Sequence, residues 1–423
     1  MGQEMIDVSF EKICGEVDAP PSKSLMQRYV LLSSFLDGPI RILNPGHSDD
    51  DLVSINIARS CGKQVYEKKS MTIIEGNFTK PEMINVGESG TSFRLVQGLL
   101  AASQSRTGIL LKRSLSGRPM DPLINALQPH GYSYLKEKDS VVVDATHFQC
   151  PDSFEIDGNI SSQFISSLML CLALSRKENG IIHVRNGVAS EGYIKITSKV
   201  LEDFQCRIST DKDIIVNSSY IAIPEQARIE GDYSSSAFLM VMGLLLSDEG
   251  ITIRNLPIKT YQPDRQILEI LGKYLKIKKH GNLLDVTAFR QDIQRIMVDV
   301  NATPDLAPPL SVLGMFSEDG IEIRNPDRLR TKESDRLQAI LDLARATGAL
   351  IQREEESIII SKGTSMNSTD IPERDDHRIV MAKFLAAAAI NRNFHVHFHG
   401  SVNKSFPEFW NYASTLGFHL DFK

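Results

Sequence analysis

The sequence has few cysteines and no long apolar run. Its 423 residues include only five cysteines, and no two of them form a CxxC pair. This favours a reducing compartment and argues against a cysteine zinc site. The longest apolar run, residues 237–246, is about half of what a bilayer span requires. The N-terminal residues also lack the apolar core of a signal peptide. We therefore expect a cytoplasmic protein that does not bind membranes.

Charge of one sign is not in excess either. There are 47 Lys and Arg residues against 53 Asp and Glu, a formal charge of -6, and no block of like charges. A nonspecific nucleic-acid binder is therefore not expected. With 42% hydrophobic and 24% charged residues, the composition is that of a globular protein and excludes disorder or a coiled-coil rod. The length favours two or three domains, and we predict two.

An internal repeat of about seventy residues is the main positive feature. Six times, a small polar cluster runs into an apolar helical stretch, and these stretches begin near Ser24, Ser92, Ser162, Ser235, Asp305 and Asp376. The spacings between these residues are 68, 70, 73, 70 and 71. Six units of this length fill the chain, and repeats at a fixed period indicate one supersecondary unit used several times.

A second helix recurs in the same rhythm. It opens near Asp50, Asp121, Glu191, Asp264 and Asp335, and a glycine follows it in every unit that shows it except the third. The clearest copy is residues 332–347, whose apolar side chains repeat at helical spacing before Gly348, a typical left-handed C-cap. Strand-like runs such as VVVDA, ITIRNL and IEIRNP separate the helices. The sequence predicts an α/β fold of two similar lobes, three repeats each, with a cleft between them.

The helix starts also carry chemistry. Small polar residues at a helix N-terminus leave backbone N–H groups available for an anion, although ordinary N-capping explains the same pattern. Eight basic residues lie in or beside these loops: Lys23, Arg28, Arg94, Arg118, Lys332, Arg336, Arg378 and Lys404. Each alone is better explained as a solvated surface charge. Together, in an acidic protein, they predict a positive pocket for a small polyanion.

Nine ordered motifs over nearly the whole chain resemble those of the 5-enolpyruvylshikimate-3-phosphate synthase family. They are PPSKSLMQR, GESGTSFR, GRPMDPL, SSQFISSL, EGDYSSSAF, TPDLAPPL, LRTKESDRL, DDHR and NKSFPEF. The resemblance implies a two-lobed inside-out α/β barrel of six βαβαββ repeats. It implies an N-terminal lobe of residues 21–227 and a C-terminal lobe of residues 228–423 completed by residues 1–20.

The resemblance also implies the reaction. Enzymes of this family, the targets of the herbicide glyphosate, move the enolpyruvyl group of phosphoenolpyruvate to the 5-hydroxyl of shikimate 3-phosphate in aromatic amino acid biosynthesis. Asp305 resembles the carboxylate that takes the hydroxyl proton, and Glu333 resembles the group that exchanges the C3 proton. Lys23 resembles the lysine that assists departure of phosphate. Without the resemblance, Asp305 could be a helix cap and Glu333 a helical ion-pair partner of Arg336. We expect no cofactor, no metal and a monomer.

The remaining site residues follow from the same resemblance. Shikimate 3-phosphate is expected to contact Lys23, Ser24, Arg28, Ser161, Ser162, Gln163, Ser190, Tyr193, Asp305 and Lys332. Phosphoenolpyruvate is expected to contact Lys23, Gly90, Arg118, Gln163, Arg336, Arg378 and Lys404, with Thr91 and Arg94 in support. The chain departs from the family pattern at Glu88 and Ser89, beside Gly90, and at Arg328, where the family has a substrate-contacting Asn.

Three alternatives stay open at this stage. UDP-N-acetylglucosamine 1-carboxyvinyltransferases share the fold but usually carry a Cys where this chain has Arg113. An inactive ligand-binding member of the fold would not need Lys23, Asp305 and Glu333. An RNA-end-processing relative is disfavoured by the acidic balance. Separately, His395, His397 and His399 alternate along one strand, for which a surface or interlobe strand face is a better explanation than a metal site.

Overall fold

The computed structural model describes residues 4–364, 376–398 and 400–423. The chain forms two compact units. The N-terminal unit is Pro21–Glu230, and the C-terminal unit combines Met1–Pro20 with Gly231–Lys423. The sequence placed the second boundary at residues 227 and 228, three residues earlier. None of the helices in the described parts of the chain is long and apolar enough to cross a membrane.

The strands are short and spread evenly along the chain. In chain order, β1 to β23 are Glu4–Phe10, Gly15–Asp18, Ile40–Leu43, Gln64–Lys68, Met71–Glu75, Met83–Gly87, Arg106–Leu111, Ser133–Lys136, Ser140–Asp144, Ser153–Asp157, Gly180–Arg185, Arg207–Ser209, Ile214–Asn217, Gln226–Arg228, Ile251–Pro257, Leu275–His280, Leu283–Ala288, Ile296–Asp299, Ile321–Arg324, Leu350–Arg353, Ser357–Ser361, Asn393–Phe398 and Phe418–Phe422.

The helices include six that begin at the predicted polar clusters. In chain order, α1 to α13 are Lys23–Ser34, Asp49–Ser60, Gly90–Ala102, Arg113–Ser116, Asp121–Leu127, Ser162–Leu174, Gly192–Asp203, Tyr233–Leu246, Ile267–Ile270, Ala307–Met315, Arg336–Ala346, His377–Ile390 and Phe409–Thr415. The first helices of the six repeats are α1, α3, α6, α8, α10 and α12. Short 3₁₀ turns precede α10 and α11, at Pro304–Leu306 and Pro326–Thr331.

Five sheets share one topology. The orders β14-β3-β5-β4, β6-β7-β9-β8 and β10-β11-β13-β12 belong to the N-terminal unit, and β2-β15-β17-β16 and β18-β19-β21-β20 belong to the C-terminal unit. In each, the first pair is parallel and the other two pairs are antiparallel. The repeated topology confirms the predicted α/β repeat architecture.

The sixth repeat takes its last strand from the beginning of the chain. Strand β1 lies between β22 and β23 and is antiparallel to both, with Ile6 opposite Val396 and Phe422. Strand β2 then pairs in parallel with β15. Both N-terminal strands therefore belong to the C-terminal unit, as the resemblance implied.

The first helices of the repeats form the interior of each unit. Helices α8, α10 and α12 pack against one another in the C-terminal unit, and α3 packs against both α1 and α6 in the N-terminal unit. Helix α8 is buried on all sides, which its continuous apolar sequence predicts. The closest approach is at Gly98, where an added Cβ would lie 2.0 Å from the carbonyl oxygen of Ser167. Only glycine lets α3 and α6 come this close.

The second helices differ from their predicted bounds in two places. Helix α11 begins at Arg336 instead of residue 332, because the Asp335 side chain accepts a hydrogen bond from the Gln338 N–H and caps the helix there. Its end is as predicted, with Gly348 at φ 75°. In the fourth repeat, the second helix is replaced by the short α9 with a 3₁₀ turn on either side, and β16 begins soon after Gly272. In the third repeat, Gln205 adopts φ 70°, whereas four other repeats have a glycine with positive φ after the second helix: Gly62, Gly131, Gly348 and Gly417.

Candidate active site

Four of the eight basic side chains are almost inaccessible. Arg28 and Arg336 are each 1% exposed, Arg378 is 5% exposed and Arg94 is 8% exposed. A guanidinium keeps its charge in a protein, so burial requires partners for its N–H groups. The explanation as solvated surface charges is therefore wrong for these four residues. Their partners define two groups of predicted site residues, one within each unit.

In the N-terminal unit, Lys23 is the first residue of α1 and forms an ion pair with Asp50. The Lys23 Nζ lies 2.8 Å from Oδ2 of Asp50, which is in the first turn of α2. One turn further along α1, the buried Gln27 amide donates to the Asp50 carbonyl and to the hydroxyls of Ser89 and Ser92. Gln27 thereby ties the starts of α1, α2 and α3 together.

Arg28 joins a second group of predicted residues. Its Nε donates to the Thr197 hydroxyl at 2.8 Å, and its Nη1 donates to the Ser24 carbonyl at 2.7 Å. Thr197 and Tyr193 both lie on α7, so Arg28 connects α1 to that helix. Burial lowers the pKa of Arg28 to about 10, which still leaves it charged at neutral pH. Ser190, just before α7, is buried and has φ 55°, an uncommon backbone for serine.

Gln163 connects α6 to α3. Its Oε1 accepts a hydrogen bond from Arg94 Nη1 at 2.6 Å, and its Nε2 donates to the Thr91 hydroxyl at 2.9 Å. Its backbone N–H is capped by the Ser161 hydroxyl. Neighbouring Ser162 is buried. Three residues from two separate motifs, Thr91, Arg94 and Gln163, are thus brought into one network.

Arg118 reaches the start of α3 from the loop after α4. A Cβ on Gly90 would lie 2.6 Å from Arg118 Nη1, so the guanidinium sits directly against this glycine. The neighbouring departure from the family pattern is partly neutralised, because Glu88 lies 3.7 Å from Lys112 Nζ. Gly90 is therefore a place of close approach that has no room for a Cβ.

In the C-terminal unit, Arg336 is the centre of a buried charge cluster. Its Nη1 donates to Asp305 Oδ1 at 2.8 Å, its Nη2 to Glu333 Oε2 at 2.5 Å, and its Nε to Asp376 Oδ2 at 2.8 Å. Asp376 is 0% exposed and caps α12 by accepting a hydrogen bond from the Arg378 N–H. Three carboxylates from two repeats, Asp305 and Glu333 of the fifth and Asp376 of the sixth, therefore share one guanidinium.

Asp305 is bound by two arginines. Besides Arg336, Arg378 Nη2 donates to its Oδ2 at 3.0 Å. Burial would raise the pKa of Asp305, but Arg378, Arg336 and Lys332 together hold this pKa well below its usual range. Asp305 is therefore ionised at neutral pH. It lies in the turn before α10, and four of the predicted site residues, Asp305, Glu333, Arg336 and Arg378, meet here.

Lys332 and one further acid, Asp264, lie beside this cluster. Burial lowers the pKa of Lys332 to about 8; Asp305 opposes this shift, and the charges of Arg336 and Arg328 add to it. Asp264 is buried close to Asp305, and burial together with that like charge raises the pKa of Asp264 to about 7. Lys404 is half-buried and ends the 3₁₀ turn Ser401–Lys404, which packs against α12.

The predicted histidine strand is only partly described. His395 and His397 lie on β22, opposite Asp7 and Met5 of β1, and His399 lies outside the described residues. Within residues 4–364, 376–398 and 400–423, no group of three or more His, Cys, Asp or Glu side chains could hold a metal ion. All five cysteines are free thiols.

Comparison with known proteins decides the family. The model of the EPSP synthase (3-phosphoshikimate 1-carboxyvinyltransferase) family matches residues 9–412. The chain belongs to the EPSP synthase family. A 3-phosphoshikimate 1-carboxyvinyltransferase of Picrophilus torridus is 37% identical over 98% of this chain and 99% of its own length. One from Thermoplasma volcanium is 37% identical over 94% of each chain.

The fold is that of solved EPSP synthases. The enzyme from Acinetobacter baumannii superimposes with a TM-score of 0.80 at 20% identity, covering 99% of this chain and all of the other. The enolpyruvyl transferase NikO from Streptomyces tendae gives a TM-score of 0.75 at 14% identity. This confirms the predicted fold class and the resemblance on which the site residues were chosen.

Sequence reasoning recognised some important EPSP synthase side chains only as helix starts. Asp50 and Asp376 were read as residues at the beginning of helices, while the structure also gives each a cation, Lys23 or Arg336. Gln27 and Thr197 were missed altogether. Their polarity within apolar helical stretches was the available signal, since a buried polar side chain needs a partner.

Proposed function

We propose that this chain transfers the enolpyruvyl group of phosphoenolpyruvate to the 5-hydroxyl of shikimate 3-phosphate and releases inorganic phosphate. Its relatives are named for this reaction. The observation that best supports the chemistry is the pair of carboxylates, Asp305 and Glu333, held by one buried guanidinium. An addition–elimination at one carbon needs two groups that move protons and cations that neutralise the phosphate and carboxylate.

The proposed roles account for each bond and proton. Asp305 accepts the proton of the 5-hydroxyl as the hydroxyl oxygen forms a bond to C2 of phosphoenolpyruvate, while C3 gains a proton from Glu333 in its carboxylic acid form. The resulting ketal then loses a proton from C3 to Glu333 as the bond from C2 to the phosphate oxygen breaks. The proton on Asp305 leaves with the phosphate, so both carboxyl groups return to their starting states. Lys23 stabilises the departing phosphate, with Asp50 holding its ammonium in place.

We propose that each substrate contacts the residues that the family resemblance assigned to it. For shikimate 3-phosphate, the hydroxyls of Ser161, Ser162 and Ser190 and the charges of Arg28 and Lys332 suit a phosphate and a carboxylate. Phosphoenolpyruvate is assigned to Arg118 at Gly90, to Gln163, and to Arg336, Arg378 and Lys404. We further propose that the protein acts as a monomer in the cytoplasm, where its five free thiols would stay reduced.

The test is phosphate release from phosphoenolpyruvate by the purified protein. Release should require shikimate 3-phosphate, should not occur with UDP-N-acetylglucosamine, and should vanish in Asp305→Ala. Asp327→Ala is the matched control, because Asp327 lies on the surface and forms an ion pair with an exposed charge, Arg330, at 2.8 Å. Silence with both acceptors from a folded protein would favour an inactive ligand-binding member of the family. Light scattering would test the monomer.

A further inference from the structure

Arg336 is expected to bind phosphoenolpyruvate, yet its guanidinium is fully enclosed by protein. The side chain is 1% exposed, and Nε, Nη1 and Nη2 each donate to a different carboxylate. An anion from solution can reach this guanidinium only if one of the three carboxylates moves away. The question is therefore which of Asp305, Glu333 and Asp376 can leave.

Asp376 is fixed most firmly. Its side chain is 0% exposed, caps α12 through the Arg378 N–H, and also accepts a hydrogen bond from the Ser334 hydroxyl at 3.1 Å. Moving it would uncap a helix at the centre of the unit, which costs about 1 kcal/mol for the cap alone. Asp376 is therefore a permanent part of the cluster.

Asp305 is also bound by a second arginine, Arg378. Its carboxylate bridges Arg336 and Arg378, with one oxygen on each guanidinium, at 2.8 Å and 3.0 Å. It is also carried by a 3₁₀ turn that leads directly into α10. Leaving Arg336 would weaken a bridge between two buried cations.

Glu333 is placed to move. Its side chain is 21% exposed, as much as that of Asp305 at 22%, and it lies three residues before Arg336 in the chain. It lies in the bend between the 3₁₀ turn Pro326–Thr331 and α11, outside regular secondary structure. Glutamate also has one more rotatable bond than aspartate, so its carboxylate can swing away while its backbone stays in place.

We propose that phosphoenolpyruvate displaces Glu333 from Arg336, so that the binding of one substrate releases the group that exchanges the C3 proton. This inference rests on the proposed function. The exchange keeps the buried guanidinium neutralised at every stage, since one anion replaces another. Phosphoenolpyruvate brings a carboxylate and a phosphate together, and the phosphate alone carries about −1.5 to −2 charges. It can therefore outcompete a single carboxylate.

The exchange also explains how ionised, arginine-bound carboxylates can act as bases. While Arg336 and Arg378 hold Asp305, the pKa of that carboxylate is well below its usual range, which makes it a poor proton acceptor. A substrate anion that takes over part of these cationic charges raises the proton affinity of both carboxylates. Arg336 and Arg378 thus keep these carboxylates poor bases until the substrate takes over part of the cationic charge.

The first arm of the test is calorimetric titration of phosphoenolpyruvate into the full-length protein without shikimate 3-phosphate, so that no turnover occurs. Glu333→Gln removes the competing charge and should bind phosphoenolpyruvate about tenfold more tightly, because a largely buried ion pair no longer has to be broken. Asp327→Asn makes the same charge change on an exposed pair in the preceding turn, and its affinity should stay within about twofold of the parent.

The second arm follows Glu333 itself. In protein labelled with ¹³C at glutamate Cδ, the signal lost in Glu333→Gln, or in Glu333→Ala if the first variant does not fold, belongs to Glu333. We expect its pKa to rise by about one unit or more when phosphoenolpyruvate saturates the unsubstituted protein, because the carboxylate loses a cation. An unchanged Glu333 pKa refutes the displacement, even if Glu333→Gln binds more tightly. Unchanged affinity in Glu333→Gln refutes it as well.

The transfer assay separates this inference from the proposed function. If phosphate release requires shikimate 3-phosphate but the Glu333 signal does not shift, the function stands and the displacement is wrong. If phosphoenolpyruvate shifts the Glu333 signal but no phosphate is released with shikimate 3-phosphate, the displacement stands and the proposed reaction is wrong.

Discussion

Replacing Gly90 by alanine tests whether Arg118 and the start of α3 bind phosphoenolpyruvate. The new Cβ would lie 2.6 Å from Arg118 Nη1, whereas ordinary contacts begin at 3.4 Å. The guanidinium must therefore move by about 0.8 Å, since dispersion and repulsion do not allow a closer approach. The next nearest atoms are 3.7 Å away, so the backbone need not shift.

The displacement should weaken binding without harming the fold. A hydrogen bond to a charged group contributes about 1.5–3 kcal/mol, and losing about half of one such contact costs about 1 kcal/mol. That corresponds to an increase of about fivefold in KM for phosphoenolpyruvate, with kcat nearly unchanged. Thermal stability should not fall, because alanine favours a helix more than glycine does. Inhibition by glyphosate should weaken more than substrate binding.

Steady-state kinetics with both substrates varied will measure this effect. Gly117→Ala is the matched control, because a Cβ there meets nothing within 4 Å although Gly117 directly precedes Arg118. The reasoning is refuted if Gly90→Ala leaves KM for phosphoenolpyruvate and glyphosate inhibition unchanged. It is equally refuted if Gly117→Ala raises KM by the same factor.

Three further outcomes are expected. Asp305→Asn should lower kcat by at least about 100-fold, as loss of a general base does; a smaller loss in the phosphate-release assay would contradict its role. The kcat/KM for shikimate 3-phosphate should fall as pH rises through about 8, because Lys332 loses its charge there. Arg328→Gln removes a neighbouring cation and should shift this fall to higher pH. If the fall does not shift, Lys332 is not its source. Gly98→Ala should destabilise the protein by about 3 kcal/mol in chemical unfolding, because its Cβ would lie 2.0 Å from the Ser167 carbonyl oxygen. An unchanged denaturation midpoint would show that α3 and α6 can separate at little cost.

The repeat could be predicted from sequence because its signals are local. A polar cap followed by an apolar helical stretch is a property of some fifteen consecutive residues, and its recurrence needs no knowledge of long-range contacts. The six first helices and the left-handed Gly348 were therefore predicted correctly. The start of α11 was predicted wrongly, because the sequence does not show whether residues 332–334 continue the helix or precede an N-cap at Asp335.

The motifs likewise identified the family and proposed its site residues, because each motif is a short, ordered segment. Apart from the Glu333–Arg336 ion pair, which the spacing of three residues suggested, they did not reveal how those residues pair. The partners of Arg336 lie 31 and 40 residues away at Asp305 and Asp376, and the hydroxyl that binds Arg28 lies 169 residues away at Thr197. Sequence spacing carries no information about such pairs.

What the sequence by itself determined is the repeat, the order of helices and strands, and the residue types available at each helix start. What only the tertiary structure decided is which of these charges are buried together, and that Asp305 and Asp376 share the guanidinium of Arg336. The physical reason is that local propensity acts over a few residues, whereas the partners of a buried charge are set by the packing of helices from different repeats. Desolvation then makes that pairing obligatory.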